Sequence, residues 1–68
     1  MAQLITEPNL VGADDIYQRL IEMNEGMNEA EALRVNARLI LILINHIGDP
    51  EVVLRALALA RDPAIARA

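Results

Sequence analysis

The chain contains no cysteine, phenylalanine, tryptophan, lysine or serine, and only one tyrosine, one threonine and one histidine. Each absence closes a class of structure or activity. Without cysteine there are no disulfides and no thiolate metal sites. Without serine or cysteine, and with Thr6 as the one threonine, nucleophilic catalysis of the Ser-His or Cys-His kind is excluded. Without Phe or Trp, the core must be built from Leu, Ile, Val, Ala and Met. Cations are supplied by arginine alone, and the net charge is −4. That balance argues against nucleic acid, which calls for a basic patch and often for stacking aromatics. It argues equally against an anionic membrane surface. No apolar run approaches the roughly 20 residues that span a bilayer. No basic stretch precedes a signal-like apolar core, so the expectation is a soluble cytoplasmic protein. The three glycines, Gly12, Gly26 and Gly48, are isolated, so no Gly-rich phosphate loop exists.

What the chain has in quantity is aliphatic side chain. Hydrophobic residues make up 54% of its 68 residues, and six large aliphatics run without a break from Leu39 to Ile44. Length and flanks decide between strand and helix for such a run. Asn28 can cap a helix, and Glu31 three residues later can return a bond to its amide. Ala30, Ala32, Leu33 and Ala37 favour helix. No Gly or Pro intervenes before Gly48, which suits the left-handed position past a helix end, and Pro50 cannot continue the same helix. The pattern predicts one helix over 29–47.

At about 100° per residue, Glu31, Arg34, Arg38 and Asn45 gather into one polar stripe. Leu33, Ala37, Ile40, Ile44 and Ile47 form one apolar side. Val35, Leu39, Ile42 and His46 form another, with Ala32, Asn36 and Leu43 between them. This arc is wider than that of an ordinary surface helix. One flanking helix cannot cover it.

The rest of the chain reads as helices around this one. Residues 1–12 form an irregular arm. Thr6-Glu7-Pro8-Asn9 makes a turn, and the apolar pairs Leu4-Ile5 and Leu10-Val11 are expected to lie against helices. Residues 13–24 form an amphipathic helix with Ile16, Tyr17, Leu20 and Met23 on one face and Ile21 at its edge. Asp14 and Asp15 sit in its first turn, where the helix dipole favours carboxylates. Val11 and Ile16 are placed for a hydrophobic staple across Gly12. The short link to Asn28 implies an antiparallel helical hairpin. Asp49 and Pro50 start a third helix over 50–61. Asp62-Pro63 repeats that signature before a tail or final helical turn at 62–68. The expected architecture is therefore all-α: one small domain with an ordered N-terminal arm, a helical hairpin and a third helix.

Candidate chemistry is sparse. His46 with Asp49 or Glu51 falls short of the ligand count of a zinc site. The favoured reading places His46 in the last helical turn, against the dipole. Asp14-Asp15 and Glu29-Glu31 read as helix-start acids rather than an acid and base pair. No cofactor is expected. Arg34 and Arg38, one turn apart, can clamp an anion or a partner's carboxylate. The favoured reading is a solvated face, with Glu31 pairing to Arg34. Asn36 falls inside the apolar arc, where a buried amide must find partners. It bonds either across a symmetric interface, as a buried Asn does in coiled coils, or locally to the N-terminal arm.

Two stretches, Leu4-Ile5-Thr6-Glu7-Pro8-Asn9-Leu10 and Asn36 to Asp49, together with Asp14-Asp15 and Tyr17, resemble a family of very small bacterial proteins described only as a domain of unknown function. The chain departs from that pattern at Gly12-Ala13, where an Asp-Pro-like helix start is expected. The resemblance implies a compact helical protein with no assigned activity. It further implies company with flavin-dependent aromatic hydroxylases in catabolic gene clusters.

These readings lead to an expected function. A domain this small buries only about 60% of the surface of its unfolded chain. Small chains without disulfide or metal gain stability by association. The expectation is a non-enzymatic interaction protein forming a homodimer through the central helix. Its interface is expected at Val35, Asn36, Leu39, Ile42, Leu43 and His46, with Leu33, Ile40 and Ile44 facing the other helices; the sequence ranks the two faces only weakly, and the exchanged assignment stays open. The alternative is an accessory subunit docked on a larger catabolic enzyme such as a flavin-dependent aromatic hydroxylase. A small-ligand binder ranks third for want of polar chemistry.

Overall fold

The computed structural model describes residues 3–62 and contains three helices: α1 Ala13–Met23, α2 Glu29–Ile47 and α3 Pro50–Arg61. No strand occurs among the described residues. The protein is all-α, as the sequence pattern predicts. The expected tail from Pro63 onward lies outside the described residues.

Local chemistry accounts for most helix ends. At the start of α2 the Glu31 amide donates to Asn28 Oδ1 at 2.9 Å, and the Asn28 amide donates to Glu31 Oε1 at 3.2 Å. Two of the amides that a helix start leaves without partners are thereby satisfied. At the other end Gly48 takes φ 68°, and its amide donates to the Ile44 carbonyl at 3.0 Å. Only glycine enters that region without steric cost. Asp49 then caps α3: its Oδ1 accepts from the amides of Glu51 at 3.0 Å and Val52 at 3.4 Å. Pro50 occupies the first helical position, where its missing N–H costs nothing.

The start of α1 differs from expectation. Gly12 precedes it in a left-handed conformation, φ 72°, with no side-chain cap. The chain enters the helix at an angle that carries Val11 away, leaving it 94% exposed. The staple with Ile16 does not form, because it needs an extended residue at the cap position. At the far end the Asn24 side chain donates through Nδ2 to the Leu20 carbonyl at 3.1 Å.

Helix placement departs further. Only α2 and α3 pack on each other, about the corner at Gly48 and Asp49; α1 contacts neither. The antiparallel hairpin expected for α1 and α2 is not formed. The turn through Glu25 and Met27, with Gly26 at φ 77°, instead leads α1 away from α2. Of the arm, Leu4 is half-buried, and Gln3, Leu4 and Thr6 share a cleft with Arg55, Ala58, Leu59 and Asp62 near the end of α3. Ile5, Leu10 and Val11 are exposed, so the arm meets the helices only at its beginning.

The result is an open arrangement. The radius of gyration is 13.5 Å, against about 11 Å for a compact domain of this length. Val52, at 9% exposure, is the only buried hydrophobic side chain among the described residues. The half-buried positions of α2 nearest its start, Ala32, Val35, Asn36 and Leu39, follow one arc of the helix.

Candidate interaction surface

Exposed apolar side chains dominate α2. Of the arc expected to face inward, Leu33, 70% exposed, and Ile40, 52% exposed, face solvent, while Ile44 is half-buried beside the start of α3. Leu41 and Ile47 extend this surface, and Ala37 lies on it between Leu33 and Ile40. Ile44 carries it to the corner, where it lines an apolar cleft of about 350 Å³ with Gly48, Asp49, Pro50, Val53 and Leu54. Across the cleft, α3 continues with Leu54, 64% exposed, and Leu57. One apolar surface therefore runs along α2, through the corner cleft and onto α3.

The six candidate interface residues divide. Val35, Asn36 and Leu39 are half-buried within the chain, whereas Ile42, Leu43 and His46 are exposed. Leu41, Leu54 and Leu57 are not among the six, although the unbroken run through Leu41 and the leucine spacing of α3 are visible in the sequence.

A second apolar face stands apart on α1. Ile16, Tyr17, Leu20 and Ile21 share one side of that helix, and Tyr17 is 65% exposed. The sequence pattern assigns this face to the inside of a hairpin. In the structure it has no partner helix among the described residues. Strong amphipathicity in a short helix that cannot persist alone is the signal that it needs a partner.

Charge is arranged around these faces. Arg34 and Arg38 project from the polar stripe of α2 and, among the described residues, have no ion-pair partner. The expected Glu31–Arg34 pair is absent, because Glu31 turns its carboxylate back to the Asn28 amide. On α1, Arg19 Nε meets Asp15 Oδ2 at 3.4 Å, and Gln18 Nε2 donates to Glu22 Oε2 at 3.4 Å. Asp14 remains uncommitted in the first turn.

Asn36 behaves as a polar residue inside an apolar arc. Its Oδ1 is withdrawn from solvent and accepts no hydrogen bond, so the local bond to the arm is not made. Leaving such a group unpaired costs about 1–3 kcal/mol.

His46 is exposed in the last turn of α2, and Asp49 directs Oδ1 to the cap of α3. Among the described residues no group of three His, Asp or Glu side chains is placed to hold a metal ion. None of the described helices is long and apolar enough to cross a membrane. The arrangement is suited to contact between apolar surfaces.

Residues 4–62 match the family described as "Protein of unknown function (DUF2783)". No curated protein and no solved structure matches the chain.

Proposed function

The chain belongs to the DUF2783 family, and we propose that it is a non-enzymatic interaction protein that assembles as a homodimer through the apolar surface of α2 and α3. One observation carries this reading. The chain exposes 6258 Å², whereas a folded monomer of its mass exposes about 4,200 Å². The excess, about 2,000 Å² per chain, is surface of every kind, and the exposed Leu33, Ile40, Leu41, Leu54 and Leu57 contribute to its apolar part. A twofold interface, in which one patch meets its own copy, is the commonest way to cover such a surface.

The residue chemistry supports the same reading. Glu31 and Asp49 are engaged at helix caps and Asp15 by Arg19, and neither serine nor cysteine is present as a nucleophile. Arg34 and Arg38 remain available for a partner's carboxylates.

Sedimentation of the purified chain across a wide concentration range tests the proposal. A dimer that dissociates only on dilution is the expected result. A monomer at every concentration overturns it. The same surface is then assigned to a larger protein partner, of which the implied flavin-dependent aromatic hydroxylase is the first to test by co-purification.

A further inference from the structure

We draw no further inference here: the strongest candidate, the exposed apolar stripe of Ile16, Tyr17, Leu20 and Ile21 along α1, packs on neither α2 nor α3, and nothing in the structure shows what covers it.

Discussion

Asp49 begins α3 with a single side-chain oxygen, which accepts two amides of that helix. Removing such a cap costs about 1 kcal/mol, so Asp49→Ala should lower the denaturant midpoint by that equivalent without changing the slope of the transition. His46 is a different case. It is exposed and makes no hydrogen bond among the described residues. His46→Ala should change stability by about 1 kcal/mol or less through the helix dipole alone and leave association intact. A lost dimer with unaltered helicity, seen by sedimentation and circular dichroism, would place His46 in a contact. At this scale the sequence is readable because capping acts over three or four positions. Asn28 and Glu31 announce their reciprocal bonds, and Asp49-Pro50 announces a helix start. The destination of Glu31 is legible only in part: spacing also offers it Arg34, but a carboxylate that serves the cap cannot serve the arginine as well.

The bounds of α2 and α3 agree with the sequence reading for the same local reason: both have a cap at the start and a stop at the end. The end of α1 falls one residue earlier than expected, at Met23 rather than Asn24. What no local signal carries is the direction of α1. A short link permits a hairpin without requiring one, and the backbone at Gly26 selects another course. The two faces of α2 are similarly hard to rank, because Val35 with Leu39 and Leu33 with Ile40 offer nearly equal apolar area. The structure separates them, and substitution can read the difference. Leu39 is half-buried within the chain, so Leu39→Asp should cost about 3 kcal/mol or more and abolish cooperative melting at any protein concentration. Ile40 is half-exposed, so Ile40→Asp should act on association and remove the concentration dependence of melting. Identical behaviour of the two variants in thermal melts would mean that these positions are not on separate faces.

For the molecule as a whole, the governing fact is the mismatch between apolar content and burial. Fixing each residue's backbone costs about 1–2 kcal/mol in entropy, and burial of apolar surface is the main opposing term. A chain that leaves Leu33, Ile40, Leu54 and Tyr17 half-exposed or more obtains little of that term by itself. In the proposed homodimer, assembly provides the remainder and couples folding to association. When two unfolded chains combine into one folded dimer, stability acquires a mass-action dependence on chain concentration. Each tenfold increase in protein should therefore raise apparent stability by about 1.4 kcal/mol. Chemical denaturation at three concentrations spanning two decades measures this directly, with helicity and sedimentation transitions expected to coincide. A midpoint that stays constant across that range would show that the single chain is stable with its apolar surface in water. Such a result would sever folding from assembly and require another explanation for the exposed area of α1, α2 and α3.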